Sequence, residues 1–384
     1  MRPGEPRRVS LTTIALEWSR IGVTGFGGPP AHIGLLRRLC VERKGWLSAQ
    51  EFEDGIAATG LLPGPASTQL AIYCAWTLRG PAGALVGALC FISPGLLVIL
   101  GLSALFLEAR PPLPVVGAAA GAGAAVPAVA LRSAASLMPA SRGREGAAGR
   151  WRWGGYLVAG GVAAAAVGPW LVAVIGACGV TEVLWRSKRR PHWSVLALPA
   201  AVGTGTGGLL ALAWVAFKVG ALSYGGGFVI IPLMQHDAVT TYRWMTGNQF
   251  LGSVALGQLT PGPVVLTVAV VGYAAAGWSG GLLAALVAFV PSIAFVLIGA
   301  PHFGPLRESA TVQGFLAGAG PAAIGAIAGS AVPLGLALGH LWQVGVLAVA
   351  AAWLLLARRG MVSALGGAAG LGVLAVFAGM PMAR

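Results

Sequence analysis

Long apolar stretches dominate the chain, and charged residues separate them in short clusters. Asp, Glu, Lys and Arg are absent from Trp244 to Leu306 and again from Ser309 to Ala357. A membrane-spanning helix needs about 20 apolar residues, so the first stretch has room for two or three spanning helices and the second for about two. Further candidate spans are Gly80–Leu107, Pro111–Leu131 and Trp153–Thr181.

The apolar character of these stretches at nearly every position favours helices over strands. Strands of a transmembrane barrel alternate polar and apolar residues over about ten positions. Of the 384 residues, 57% are apolar and only 9% are charged, whereas a soluble domain carries about 25% charged residues. The prediction is an all-α polytopic protein of the lipid bilayer, with about 10 to 12 spanning helices.

The net charge of +14 does not indicate a nucleic-acid partner. Lys and Arg lie in short loops between apolar runs, as in cytoplasmic loops of membrane proteins, and do not form one basic face. Met1–Ser10 is basic, but Glu17 and Arg20 follow it without an evident cleavage site, so we expect a retained first helix. The four cysteines and five histidines show no metal-binding spacing, and we expect no metal or cofactor.

The two halves of the chain resemble each other. The shift that carries Pro63 onto Pro261 also aligns Arg20–Gly83 with Lys218–Gly281, and many positions of this alignment are identical, including Trp46 and Trp244. Self-similarity of this kind indicates a structural repeat. We expect repeats at residues 1–186 and 199–384, joined by a basic linker at 187–198.

The loops of the two repeats differ in charge. Arg43 and Lys44, for example, align with Thr241 and Tyr242. Loops on the same side of a membrane should share their positive charge, and loops that change sides should not. The pattern therefore predicts two homologous repeats of inverted topology, an arrangement common in secondary transporters.

Each repeat carries Pro-Gly-Pro inside an apolar run, at Pro63–Pro65 and Pro261–Pro263. Proline interrupts a helix but suits the first turn of a new one. Irregular backbone at membrane depth is tolerated only where protein or a water-filled cavity covers it. Helices that begin after these breaks would offer free N–H groups and partial positive charge to an anion. A structural kink is the alternative.

Side chains and glycines beside the breaks extend the candidate site. Polar donors are Ser67, Thr68 and Gln69 in the first repeat, and Gln258, Thr260 and Thr267 in the second. Glycine segments also align, Gly25–Gly28 with Ser223–Gly227. These segments predict either close helix packing or a second pair of broken helices facing the first.

Arg20 and Lys218 occupy equivalent positions inside apolar stretches. A charge at mid-membrane costs about 2.5–3.5 kcal/mol and is a functional hypothesis by default. Two cations, two glycine segments and two helix N-termini that converge would form a site for a small, multiply charged oxyanion. The alternative is snorkelling to the interface, with Glu17 pairing Arg20 one helical turn away; Lys218 has no acid so near in sequence.

Taken together, the motifs resemble those of the chromate transporter family. They are FGGPPAHIGLL, WLSAQEF and LLPGP in the first half, and YGGGFVIIPLM and ALGQLTPGP in the second. The resemblance implies two homologous halves of opposite orientation and efflux of chromate driven by an ion gradient, with sulfate as a similar oxyanion. It implies substrate-site roles for Gly27, Gly28, Pro63, Gly64, Pro65, Gly225, Gly226, Gln258, Pro261, Gly262 and Pro263. Pro29-Pro30 stands where the second repeat has Gly227-Phe228, a departure from strict symmetry.

The resulting prediction is a secondary transporter of the bacterial inner membrane that exports chromate and confers chromate resistance. A transporter of sulfate or another tetrahedral oxyanion is the nearest alternative, and a passive anion channel is another. An enzyme is disfavoured because His302 is the only His, Asp or Glu between Trp244 and Leu306, and membrane-embedded chemistry needs several such groups. A proton is one candidate for the coupling ion, and no sequence feature assigns an oligomeric state.

Overall fold

A computed structural model describes residues 9–60, 62–108, 111–142, 149–167, 170–187, 208–223, 228–300 and 309–381. Within these ranges the chain is helical and has no strand, as the sequence predicts. The helices of the first repeat are α1 (Leu11–Thr24), α2 (Pro29–Arg37), α3 (Ala49–Thr59), α4 (Ala66–Phe106), α5 (Leu113–Arg142), α6 (Arg150–Val162) and α7 (Leu171–Arg186). Those of the second are α8 (Leu209–Leu222), α9 (Ile231–Gln235), α10 (Gly247–Leu259), α11 (Thr267–Gly299), α12 (Ala310–Gly329), α13 (Ala331–Leu336), α14 (Leu341–Ala351) and α15 (Met361–Phe377).

The helices recur in the same order, and local features recur with them. α1 begins at Leu11 and α8 at Leu209, positions that the shift between the two Pro-Gly-Pro motifs makes equivalent. The same shift aligns Ser48 with Thr246. Ser48 is the N-cap of α3 and Thr246 the N-cap of α10, and each forms a capping box. A capping box satisfies two of the free N–H groups at a helix start.

One fixed shift does not align the ends of the repeats. The starts of α7 and α15, at Leu171 and Met361, are closer together along the chain than the starts of α1 and α8. The second repeat is therefore shorter between its matched helices. Beyond Ser187, the predicted linker 187–198 lies outside the described residues.

α4 and α11 are each made of two helical segments that meet at a sharp bend. The backbone leaves the helical conformation at Arg79–Gly80 and again at Ala276–Gly277, where both glycines have a φ of 62°. Past the bend the chain folds back on itself. This is seen from Gly87, where an added methyl group would lie 2.5 Å from the Cβ of Ala75, a residue that precedes the bend. Residues 66–78 and 81–106 therefore pack side by side.

The half-helices on either side of each Pro-Gly-Pro also pack against each other. A methyl group on Gly55 of α3 would lie 2.8 Å from the ring of Tyr73, and one on Gly257 of α10 would contact Thr267. α3 has 11 residues, about 16 Å of helix, which is too short for a hydrocarbon core of about 30 Å. Each Pro-Gly-Pro is thus the tip of a re-entrant helical hairpin, a refinement of the broken spanning helix that the sequence suggests.

Four helical stretches are long and apolar enough to cross a membrane, in agreement with the predicted membrane protein. They are Ala66–Phe106, Leu113–Arg142, Val264–Gly299 and Ala310–Leu336, and three shorter apolar stretches are Leu209–Leu222, Leu341–Leu356 and Met361–Phe377. The described part of the charge-free run from Trp244 to Leu306 holds one re-entrant hairpin and one straight apolar segment after the bend. This differs from the expected two or three spans, because half-helices are apolar without crossing.

The long helices of each repeat pack against helices of the other repeat. α5 packs against α14 and α15, and α12 packs against α6 and α7. Small residues allow these close approaches: Gly121 lies against Gly372, and Gly325 lies against Leu157 and Gly161, with no room for a methyl group. Glycine-to-backbone contact of this kind is the usual way in which membrane helices associate, and here it joins the repeats into one body.

The equivalent helices α4 and α11 contact each other reciprocally. Gly64, just before α4, lies beside Ser292 in the last third of α11. Gly95, in the last third of α4, lies beside Pro261, just before α11. The beginning of each helix therefore meets the later part of the other, a reciprocal relation that fits the inverted repeats expected from the sequence.

Inverted topology can be tested with one matched pair of exposed positions. In a chain whose native cysteines are replaced, single cysteines at Arg43 and Thr241 should react with a membrane-impermeant maleimide from opposite sides of the membrane. These positions are equivalent, and both are exposed in the loops before α3 and α10. Labelling of both from the same side in sealed, oriented vesicles would contradict the inversion.

Candidate functional site

Glycine conformation shapes the tips of both hairpins. Gly64 has a φ of 131° and Gly262 a φ of 101°, values that are essentially restricted to glycine. Pro65 then caps α4 in an extended conformation, and Pro263 precedes a short turn, Val264–Leu266, that leads into α11. New helical structure thus begins directly after each Pro-Gly-Pro, and each helix start points its partial positive charge at the tip.

The two tips are held by reciprocal hydrogen bonds between the repeats. The Gly64 N–H donates to the Ser223 carbonyl at 2.5 Å, and the Gly262 N–H donates to the Gly25 carbonyl at 3.1 Å. Gly25 and Ser223 are equivalent residues at the ends of α1 and α8. Gly25 and Ser223, the first residues of the two aligned glycine segments, therefore each lie at the break of the opposite repeat.

Gly27 and Gly28 line this junction in the first repeat. Their φ angles are 96° and 73°, and a methyl group on Gly28 would lie 3.8 Å from Val264. The chain can therefore turn from α1 into α2 directly beside the second break. The equivalent Gly225 and Gly226 lie outside the described residues.

A buried histidine connects the two breaks. His32 Nε2 lies 2.9 Å from the Gly25 carbonyl, and Nδ1 lies 3.2 Å from Ser67 Oγ. Because a carbonyl only accepts, Nε2 carries the proton, and Nδ1 of the neutral ring accepts from Ser67. The Gly25 carbonyl also accepts from Gly262, so the bonds run from the first turn of α4 to the second tip. Sequence reasoning missed His32; the available signal is its alignment with the apolar Ile230.

Several buried polar atoms around the breaks have no hydrogen-bond partner in the described part of the chain. They are Thr68 Oγ1, Gln69 Oε1, Ser223 Oγ, Gln258 Nε2 and Ser292 Oγ. Other candidates are satisfied locally: Gln69 Nε2 donates to the Pro63 carbonyl at 2.7 Å and Thr260 Oγ1 to the Leu256 carbonyl at 2.9 Å. Since buried polar groups are normally paired, a cluster of unpaired ones indicates a place for a ligand.

Both predicted cations are paired with acids instead of meeting at the breaks. The Arg20 side chain is 65% exposed and lies 3.5 Å from Glu17, which also pairs with Lys44 at 3.7 Å. This is the alternative that the sequence left open for Arg20. Lys218 lies 2.7 Å from Asp237, an acid in the segment after α9 that the sequence reasoning did not connect to it. These ion pairs thus place both cations toward the segments that lead into the loops before α3 and α10.

The described residues contain no group of three or more His, Cys, Asp and Glu side chains that could hold a metal ion. The arrangement instead offers neutral hydroxyls, an amide and the positive ends of helices, all inside a largely apolar helical body. Such groups suit a small anion that sheds its water.

Two helical repeats that meet through paired broken helices are an arrangement common in membrane transporters. The chain belongs to the chromate transporter family: the family described as "Chromate transporter" matches residues 12–183 and 210–373. The starts of the two matches, like those of α1 and α8, follow the shift between the Pro-Gly-Pro motifs. Their ends are closer together along the chain, as are α7 and α15.

Curated relatives agree with this assignment over most of their length. The chain is 34% identical to a chromate transport protein of Cupriavidus metallidurans over 339 residues, which are 85% of this chain and 82% of the relative. It is 30% identical to a probable chromate transport protein of Synechococcus elongatus over 361 residues, 90% of each chain. A chromate transport protein of Pseudomonas aeruginosa is 28% identical over 349 residues, 86% of this chain and 82% of the relative. No solved structure matches the chain.

Proposed function

We propose that the protein is a secondary transporter that exports chromate from the cytoplasm across the bacterial inner membrane by alternating access, and thereby confers chromate resistance. The observation that carries the proposal is the reciprocal pair of bonds from Gly64 to Ser223 and from Gly262 to Gly25. Two equivalent junctions of opposite direction give the molecule two equivalent gates, one for each side of the membrane.

Alternating access then consists of opening one junction while the other stays closed. Breaking the Gly64–Ser223 bond would free the first tip from α8, and breaking the Gly262–Gly25 bond would free the second tip from α1. His32 bonds to Ser67 at the first tip and to the carbonyl that holds the second. It therefore transmits a displacement of one tip to the other, and this favours alternation over simultaneous opening.

A compact tetrahedral dianion is the substrate that these tips would hold best. The first turns of α4 and α11 each direct about half a positive charge at the tips, and the unpaired hydroxyls of Thr68, Ser223 and Ser292 belong to segments at the first tip. Outward movement of a dianion is favoured by an inside-negative potential, at about 2.3 kcal/mol per charge per 100 mV. A proton remains our candidate for the coupling ion, and residues 1–186 and 199–384 are the proposed transport halves.

Transport into everted membrane vesicles tests the function directly. Vesicles that contain the protein should accumulate labelled chromate with saturation, and excess unlabelled chromate should inhibit the signal. Empty vesicles are the control. Accumulation of sulfate but not of chromate would identify sulfate as the substrate instead. Flux that never saturates would favour a channel.

A further inference from the structure

We propose that the transported oxyanion binds at the first break alone, in a pocket that Ser292 and Ser223 of the second repeat complete, and that the second break lacks the hydroxyls to bind it. This inference rests on the proposed function and refines it. It assigns substrate contact to two serines that lie far from the first Pro-Gly-Pro motif in sequence.

Ser292 is the residue with the sharpest evidence. It lies on α11, is fully buried, and its Oγ has no hydrogen-bond partner among the described residues. A methyl group on Gly64 would lie 3.0 Å from this oxygen, so the hydroxyl stands directly at the first tip. A serine inside a helix can donate to a carbonyl of the preceding turn, as Ser103 does to Ile99 at 2.6 Å. Ser292 leaves this bond unmade.

Ser223 and Thr68 place two more hydroxyls near the same tip. The Ser223 carbonyl accepts from the Gly64 N–H, while its own hydroxyl is buried and unpaired among the described residues. Thr68 lies in the first turn of α4, and its hydroxyl is likewise fully buried and unpaired there. Three unused O–H donors thus lie on three segments next to a helix N-terminus. Each could donate a hydrogen bond to a separate oxygen of a tetrahedral oxyanion.

The second break lacks this set. Leu266 lies beside Gly262: a methyl group placed on Gly262 would lie 3.2 Å from the Leu266 side chain. At the first break, Gln69 occupies the corresponding position beside Gly64. Gly95 takes the place of Ser292, and Gly25 takes that of Ser223. The positions that correspond to Gln69, Ser292 and Ser223 are therefore a leucine and two glycines. The unpaired buried donor near the second break is the amide of Gln258, so among the described residues that break has no unpaired buried hydroxyl.

Ser292→Ala, with Ser103→Ala as the matched control, tests the pocket. Both serines are fully buried in bent helices, but only Ser103 has its hydroxyl satisfied. In liposomes that contain the purified protein, Ser292→Ala should weaken the apparent affinity for chromate about tenfold, the usual effect of losing one hydrogen bond to a charged group. Its melting temperature without anion should equal or exceed that of the wild type, because alanine removes an unpaired buried hydroxyl.

Ser103→Ala should show the opposite pattern, a lower melting temperature with unchanged affinity. Ser223→Ala is the second test variant and should weaken affinity as Ser292→Ala does. Wild-type affinity in both variants would overturn the inference. Sulfate-induced stabilisation of the purified protein provides a readout that does not depend on transport, so loss of that shift in Ser292→Ala supports the pocket even if the wild type transports no chromate. Absence of chromate transport by the wild type would overturn the proposed function alone.

Discussion

Replacing Gly64 with alanine should reduce chromate transport at least tenfold while most of the protein remains in the membrane. The φ of 131° is costly for any residue with a side chain, about 1–3 kcal/mol. The added methyl group would also press against the amide of Gln69 and the hydroxyl of Ser292. The tip must therefore move, and the bond from the Gly64 N–H to Ser223 is lost with it. α3 and α4 keep their own packing, so the effect should fall on transport.

Gly80→Ala is the matched control for Gly64→Ala. Gly80 also has a backbone conformation that favours glycine, with φ 62° and ψ −152°, but a methyl group there would meet no atom within 4 Å. Strain alone should lower the amount of folded protein in this variant without changing the transport rate per molecule. Rates are compared after normalisation to protein content from a fluorescent fusion. Equal losses per molecule in both variants would show that backbone strain, not the geometry of the tip, is responsible.

The sequence predicts where the helices stop more reliably than how the chain continues. Pro-Gly-Pro, the aligned glycine segments and the capping boxes at Ser48 and Thr246 mark the breaks in both repeats. The return of the chain depends on the bends at Gly80 and Gly277, and Pro81 accompanies only the first of these. The two bends carry no shared motif that would mark them in the sequence. A re-entrant half-helix then cannot be distinguished from a spanning helix, because both have the same apolar composition.

The candidate site illustrates a second limit of local sequence reasoning. Thr68 and Gln69 adjoin the prolines of the first break, so the sequence alone places them beside it. Ser292 reaches the same tip from the opposite repeat, in a part of the chain far from Gly64 in sequence. Its one local signal is that a serine replaces the glycine at the equivalent position, Gly95. Contacts between helices of different repeats follow from packing, which a periodic pattern does not encode.

The ion pairs show the same dependence on distant partners. Arg20 and Lys218 align in sequence, yet Arg20 pairs with Glu17 in its own helix and Lys218 with Asp237 in the segment after α9. An acid next to each cation removes most of its net charge. The positive potential at the tips must therefore come mainly from the helix starts and from hydroxyl and amide dipoles, which burial strengthens.

Lys218→Ala should strongly reduce both the amount of protein and its transport, and the second change Asp237→Asn should restore both. The Lys218 side chain is 21% exposed and Asp237 is nearly buried. Removing the lysine leaves a carboxylate with no partner, which costs about 3 kcal/mol for a mostly buried pair. Asparagine in the double variant carries no charge, so the penalty disappears. Arg20→Ala, at the equivalent cation, should remain close to wild type, because the Arg20 side chain is 65% exposed and Glu17 keeps Lys44 as a partner at 3.7 Å. Pairs with an exposed partner contribute about 0–1 kcal/mol.

The double variant separates a structural lysine from a substrate-binding one. If Lys218 only balances Asp237, the Lys218→Ala/Asp237→Asn protein should export chromate at no less than about half the wild-type rate per molecule, as expected when a buried pair is replaced as a unit. If the ammonium group holds the anion, the double variant should be abundant and inactive. We expect the first outcome, since the lysine pairs with the carboxylate of Asp237 at 2.7 Å. Measuring protein amount and initial rates for the single and double variants on the same membranes decides between them.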